Sequence, residues 1–182
     1  MHINTALATT GLAMLALTAG SASFAATQTQ INSRVSETLV DFNALNPSNK
    51  ALGDKAAGVL VFPRVTKGGA GIAGEFGEGA LQVNGKTVGY YRVGSGSVGL
   101  TLGLSQHSEI IMFMTEESLK KFTTGDGWSI GADAGITVIS GGASGNYGTQ
   151  TQQKPILGFV FAEKGLLGDL SLEGSKISKI NP

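Results

Sequence analysis

Residues 62–81 read FPRVTKGGAGIAGEFGEGAL, and the six residues Gly69–Gly74 within them spell G-x-G-x-x-G. This pattern is typical of the turn that binds a dinucleotide pyrophosphate, which requires a strand before it and a helix opening at its third glycine. Here Gly77 and Gly79 stand where that helix would run, and an Asn84-Gly85 turn follows soon after. The acidic residue expected about 20 positions further on is also missing. We therefore predict a bent loop between two strands and no nucleotide site.

Strand patterns surround this loop on both sides. The run GVLVFP, which begins at Gly58, is apolar and β-branched, as in a buried strand. Residues 80–93 predict a hairpin, because Asn84-Gly85 accepts the positive φ angles of a type I′ turn. Five further segments are predicted as strands: SVGLTLGL, SEIIMFM, GWSIGADAGITVIS, ILGFVFAE and LLGDLSLEG.

Glycine recurs inside these predicted strands, and the chain contains 28 glycines in 182 residues. Interior glycines weaken a strand and mark strong coiling, bulges or close backbone approach. Closing a small barrel needs such kinks. We therefore predict a mainly β fold with some α structure, namely a small closed β-barrel core with about three helices packed on its surface. A sandwich of poorly packed strands is the alternative. The glycines concerned are Gly89, Gly99, Gly103, Gly131, Gly135, Gly158 and Gly168.

Three helices are predicted. Residues 28–45 place apolar side chains three or four positions apart, which forms one apolar stripe. Asn46-Pro47 has the composition of an N-cap and first helical residue, so a short second helix follows. The third helix is capped by Thr115, with two glutamates in its first turn and two lysines in its last.

The chain begins with an export signal in our interpretation. Residues 10–20 form an apolar run too short to span a membrane, and Ser23 and Ala25 are the small residues of a cleavage site. We expect residues 1–25 to be a signal peptide and residues 26–182 to be a single domain. The domain would be periplasmic, either soluble or peripheral to the membrane. The chain contains no cysteine, so neither a disulfide nor a lipid anchor on cysteine is available.

The motifs that suggest catalysis lack the partner residues that catalysis requires. Residues 127–131 spell G-x-S-x-G, but no histidine follows Ser129 as the esterase triad requires. His107 is interpreted as a surface turn residue, and the acidic residues are too sparse to predict a metal site. The formal net charge is zero, which argues against nucleic-acid binding through overall charge. We expect no enzyme activity, no catalytic residue, no metal and no cofactor.

A basic stretch remains as the candidate binding site. Backbone amides in a glycine-rich turn can bind an anion, and adjacent cations strengthen that binding. Phosphate head groups fit this description, although an ordinary solvated loop explains the same residues equally well. The predicted lipid-binding residues are Arg64, Lys67, Gly68, Gly69, Lys50, Lys55 and Arg92.

The order of these blocks resembles the SYLF-domain family, including its bacterial lipid-binding members. The blocks are GVLVFPRVTKGGAGIAGEFGEGAL, GYYRVGSGSVGLTLG, IIMFMTEESLKKF, GADAGI and GFVFAEKGLLGDLSLEGSKI, so the similarity runs from about Ser33 to Ile180. The resemblance implies a β-barrel core carrying helices and two mobile loops, and weak binding of phosphoinositides or other anionic lipids. Lys67 with Gly68-Gly69 matches the family's K-G-G block. The actin-binding extensions and SH3 domain of eukaryotic members are absent, so we do not expect actin binding.

Two functions are expected from these observations. The first is a periplasmic, non-enzymatic domain that binds anionic phospholipid or phosphoinositide head groups through the Arg64–Gly74 loop. The alternative is a structural or scaffolding protein of the cell envelope that binds protein or glycan.

Overall fold

The structure is a computed structural model. The predicted signal peptide, residues 1–25, and its cleavage site at Ala25 lie outside the residues that it describes. Those residues are 26–69, 72–98, 103–125, 127–133, 135–139, 147–162, 165–166, 172 and 174–182.

Three of the four described helices match the predicted ones. Helix α1 spans Gln28–Leu45 and begins with a capping box, in which Thr27 and Gln30 exchange side-chain and backbone hydrogen bonds. Helix α2 spans Pro47–Lys55 and helix α3 spans Glu116–Thr123. The fourth, α4, is a single turn at Thr149–Gln152.

Nine strands of the described residues pair into one sheet: β1 (Gly58–Gly69), β2 (Ile72–Val83), β3 (Lys86–Val98), β4 (Gly103–Phe113), β5 (Trp128–Ser129), β6 (Thr137–Ile139), β7 (Ile156–Ala162), β8 (Gly165–Leu166) and β9 (Lys176–Ile180). Their order is β5-β9-β3-β2-β1-β4-β7-β6, with β8 beside β7. All described pairs are antiparallel except β6 with β7. The mainly β class with helices packed on a curved sheet is confirmed, and the sheet has the form of a curled half-barrel.

The glycine-rich loop is shorter than predicted. Strand β1 continues through Gly68 and Gly69, which pair with β2 on one side and with β4 on the other. These glycines have no side chains, so the hydrogen bonds to the neighbouring strands on both sides hold their backbone extended. The prediction of a loop over Arg64–Gly74 is therefore wrong for both flanks of that segment. The rejection of a dinucleotide turn is confirmed, because strand β2 occupies the place of the required helix.

Three other sequence predictions differ from the structure. Residues 97–104 are not a separate strand, because β3 ends and β4 begins within them. The segment GWSIGADAGITVIS is not one strand, because Gly131 adopts a φ of 94° and a turn separates β5 from β6. Strand β9 was not predicted. In contrast, the hairpin at Asn84-Gly85 is confirmed, with φ angles of 51° and 73°.

The core lies on both faces of the sheet. On the face that α1 covers, here the α1 face, the helix packs through Phe42, whose ring centroid lies 4.9 Å from that of Phe159. On the opposite face, here the α3 face, Phe122 of α3 stacks on Phe113 with centroids 4.8 Å apart. Because side chains alternate along a strand, positions two residues apart share a face, except across the irregularity of β1 between Val61 and Arg64. None of the helices within the described ranges has the length and apolar character of a membrane span.

Candidate functional site

Two of the predicted lipid-binding residues come together on the α1 face. Arg64 of β1 and Arg92 of β3 are the cross-strand partners of Glu78 in β2, one on each side. The Glu78 carboxylate accepts a hydrogen bond of 3.0 Å from the backbone N–H of Ala26. Among the described residues neither guanidinium forms an ion pair, and both arginines are exposed. Both therefore keep their hydrogen-bond donors available.

An exposed aromatic ring lies beside these arginines. Phe76 of β2 pairs with Thr66 and Gly94, and it lies two positions from Glu78 on the same face. It is 51% exposed, which is unusual for an aromatic side chain on a sheet. Diagonal neighbours on a sheet lie about 7–8 Å apart. We name this group the Arg64/Phe76/Arg92 surface.

Lys67 faces the other way. It lies three residues after Arg64 on an extended strand, so its side chain lies on the α3 face, opposite Glu75 of β2. Gly68 and Gly69 follow it within β1. Arg64 and Lys67 therefore do not form one binding site, although they are close in sequence.

Lys50 and Lys55 lie at a distance from this surface, on α2. Lys50 forms an exposed ion pair of 2.7 Å with Asp54, and the ammonium of Lys55 donates to Oε1 of Gln152. Lys50 lines a groove with Val59 at the start of β1. From Val59 to Arg64 the strand rises roughly 16 Å. The predicted basic residues are therefore divided among three places.

A buried polar cluster lies at another place, on the α3 face. Nε2 of His107 in β4 lies 3.0 Å from Oε1 of Glu109 and 3.0 Å from Oε1 of Glu75 in β2. The three side chains are 2%, 2% and 8% exposed, respectively. The hydroxyl of Ser95 donates to the second oxygen of Glu75 at 3.1 Å. The cluster joins two strands that are not neighbours, because β1 runs between them.

The three groups shift one another's protonation. Burial alone would lower the pKa of His107, but hydrogen bonds to Glu109 and Glu75 and their charges raise it to about 9. At Glu109 burial is the largest effect and raises the pKa of the carboxyl. Burial also acts to raise the pKa of Glu75, but its hydrogen bonds with His107, Glu109 and Ser95 lower it overall. The surroundings of His107 therefore favour its positively charged form.

The interpretation of His107 as a surface turn residue is wrong. The residue is 4% exposed and lies in the middle of β4. The strand was predicted to start at Ser108, which excluded His107 from it. Alternation from the buried Ile111 and Phe113 would have placed Glu109 and His107 on the same face. Glu75 could not be added in this way, because its proximity depends on the pairing of β2 with β1.

This cluster has a donor set that fits a metal ion. One imidazole nitrogen and two carboxylate oxygens lie within 4.8 Å of one another. His107 Nδ1 and Glu109 Oε2 are buried and lack hydrogen-bond partners among the residues that the structure describes.

The second half of the chain matches a known protein family. Residues 94–181 match the family model Ysc84, whose description is "Las17-binding protein actin regulator". The match begins near the end of β3 and runs through β9, so it includes His107 and Glu109 but not Glu75. A search of curated proteins found no match. The matched segment, just under half of the chain, agrees with the resemblance seen in the sequence and is similar to the SYLF-domain, or Ysc84, family.

Proposed function

We propose that this protein is an exported, periplasmic, non-enzymatic domain that binds anionic phospholipid membranes through the Arg64/Phe76/Arg92 surface. The observation that carries the proposal is an exposed aromatic ring beside two exposed arginines that form no ion pair among the described residues.

The chemistry of this surface suits a membrane interface. A guanidinium binds phosphate oxygens with two parallel hydrogen bonds, which makes arginine well suited to lipid head groups. An aromatic ring beside two such groups can enter the boundary between head groups and acyl chains. Glu78 also accepts from the backbone nitrogen of Ala26, which becomes the N-terminal amine when residues 1–25 are cleaved, so its carboxylate is held by the chain itself. The two arginines are therefore the groups that would contact phosphate.

Similarity to the SYLF family supports a binding role, because the family is known for actin-binding or lipid-binding domains. Within this family we favour lipid over actin for this chain on the basis of the exposed surface. Periplasmic location rests on the apolar run at residues 10–20 and the small residues before Ala26. Lys67, Gly68 and Gly69 lie outside the proposed contact, because Lys67 lies on the opposite face.

The test is a flotation assay with vesicles of phosphatidylcholine alone or mixed with phosphatidylglycerol, at low salt. We expect the protein to float with the anionic vesicles only. The double variant Arg64→Ala/Arg92→Ala should lose most of this binding. The matched control is Lys50→Ala/Lys55→Ala, which removes the same charge from α2 and should bind like the wild type. Circular dichroism should show that both variants are folded.

The possible outcomes of the flotation assay distinguish the proposed lipid-binding surface from its alternatives. Equal losses in both double variants would indicate binding through overall charge and would contradict the proposed surface. No flotation of the wild-type protein, together with one saturable protein or glycan ligand from the cell envelope, would support the scaffolding alternative. A comparison of phosphoinositide vesicles with phosphatidylglycerol vesicles of equal charge would show whether binding depends on the structure of the head group as well as on its charge.

A further inference from the structure

The cluster of Glu75, His107 and Glu109 is unusual in its hydrogen bonding. A single atom, Nε2 of His107, lies 3.0 Å from an oxygen of each glutamate. One nitrogen carries at most one hydrogen, so it cannot direct a good hydrogen bond at both oxygens. The other ring nitrogen has no partner among the described residues. The hydrogen bonds of His107 therefore do not satisfy all the polar atoms of this buried cluster.

The second carboxylate adds an independent sign of a missing partner. Oε2 of Glu109 is fully buried and accepts no hydrogen bond from the residues that the structure describes. An unpaired buried acceptor destabilises the folded protein, because it gives up its hydrogen bonds to water. A cation that binds both oxygens of Glu109 would remove this destabilisation.

We propose that Glu75, His107 and Glu109 form a binding site for one divalent transition-metal ion such as Zn²⁺. The three donors come from two strands, and their ligand atoms already lie within 4.8 Å of one another. Small side-chain rotations would bring all three to the bond lengths of about 2.0–2.2 Å that Zn²⁺ forms with nitrogen and oxygen. Two carboxylates with a neutral imidazole balance the charge of the ion.

The donor set discriminates among cations. Mg²⁺ and Ca²⁺ prefer all-oxygen sites with six or more ligands, whereas an imidazole nitrogen suits zinc, copper, iron and nickel. Three protein ligands leave one coordination position open in a tetrahedral site. The Ser95 hydroxyl, which donates to Glu75, would orient that carboxylate as supporting hydrogen bonds do around metal ligands.

The residues around the cluster favour the binding of a single ion at one position. Val65 of β1 lies beneath the cluster as the cross-strand partner of His107, and it is completely buried. Glu75 is the most exposed of the three ligands and lies near the Gly69–Ala73 end of the β1–β2 pair. An ion would therefore enter past Glu75, with the other two ligands already held in β4.

The test uses the full chain, freed of metal with a chelator and titrated with ZnCl₂ by calorimetry. We expect one equivalent to bind and the midpoint of thermal unfolding to rise. The variants Glu109→Gln and Glu75→Gln should each weaken affinity at least tenfold. Glu117→Gln replaces an exposed carboxylate of α3 and should leave affinity unchanged. Co²⁺ should give the visible absorption bands of a low-symmetry site, and these should be lost in Glu109→Gln.

A second measurement keeps the test valid if a variant is unstable. X-ray absorption of the zinc-loaded wild type should show one imidazole and only oxygen ligands besides it. The absence of stoichiometric Zn²⁺ binding by the wild type would overturn the proposal. Binding that persists in folded Glu109→Gln and Glu75→Gln, or that disappears in Glu117→Gln, would overturn it as well. Vesicle binding is independent of this outcome, because the Arg64/Phe76/Arg92 surface lies on the other face of the sheet.

Discussion

Glu75 and His107 contact each other at 3.0 Å although strand β1 separates the strands that carry them. Two strand spacings of about 4.8 Å must be bridged by the side chains. Val65 lies between them as the partner of His107 on one side and Gly77 on the other. Because Gly77 has no side chain, it leaves room for Val65, whose Cγ2 would lie 2.9 Å from an added Cβ.

Removing His107 should destabilise the protein strongly. In chelator-treated protein we expect His107→Ala to lower the free energy of unfolding by about 3–5 kcal/mol, because two buried carboxylates lose their cationic partner. Urea denaturation followed by circular dichroism measures this. The exposed pair Lys50–Asp54 is the control, and Lys50→Ala should cost no more than about 0.5 kcal/mol. Similar small losses in both variants would contradict the assigned role of His107.

Gly79 should not tolerate alanine. A Cβ added there would lie 2.0 Å from the carbonyl oxygen of Val61, at the irregularity where β1 shifts its register. We expect Gly79→Ala to lower the free energy of unfolding by about 3 kcal/mol, since a backbone clash must be relieved by moving a strand. Gly96→Ala, where the added carbon meets nothing within 4 Å, should stay within about 0.5 kcal/mol in urea denaturation. Equal effects would show that the register of β1 and β2 differs from the one described.

Helix α1 should depend on one aromatic residue. Phe42 is fully buried and contacts the rings of Phe159 and Phe161. We expect Phe42→Ala to cost about 3–5 kcal/mol, because the cavity would lie between the helix and the sheet. Val40 of the same helix is 68% exposed, so Val40→Ala should change thermal stability very little. A mild effect of Phe42→Ala would mean that α1 packs against the sheet more weakly than these contacts indicate.

Phe76 should determine how binding to anionic vesicles responds to salt. Ionic contacts weaken as salt screens them, whereas insertion of a ring into the interface does not. We expect Phe76→Ser to reduce the fraction of protein that floats at moderate salt by severalfold more than Val88→Ser does. Val88 is 56% exposed but lies six residues from Gly94, the partner of Phe76, about 20 Å along β3. Equal losses for both variants would exclude a specific contribution of the ring.

Much of the architecture could be predicted from local sequence. The bounds of α1 and α2 follow from an apolar stripe and from Asn46-Pro47, which are short-range features. The Asn84-Gly85 turn was predictable because only residues that tolerate positive φ occupy such positions. The extent of β1 was not, because Gly68 and Gly69 are held extended by neighbouring strands and not by their own preferences.

The sequence by itself determined the class of the fold, the positions of its helices and the hairpin, and the exclusion of a dinucleotide turn. Each of these depends on residues within a few positions of one another. Only the tertiary structure decided that Arg64 and Lys67 lie on opposite faces and that Arg64, Phe76 and Arg92 share one. It also decided that Glu75 meets His107 and Glu109. The physical reason is that strand register and sheet curvature, set by pairings between distant segments, determine which side chains share a face.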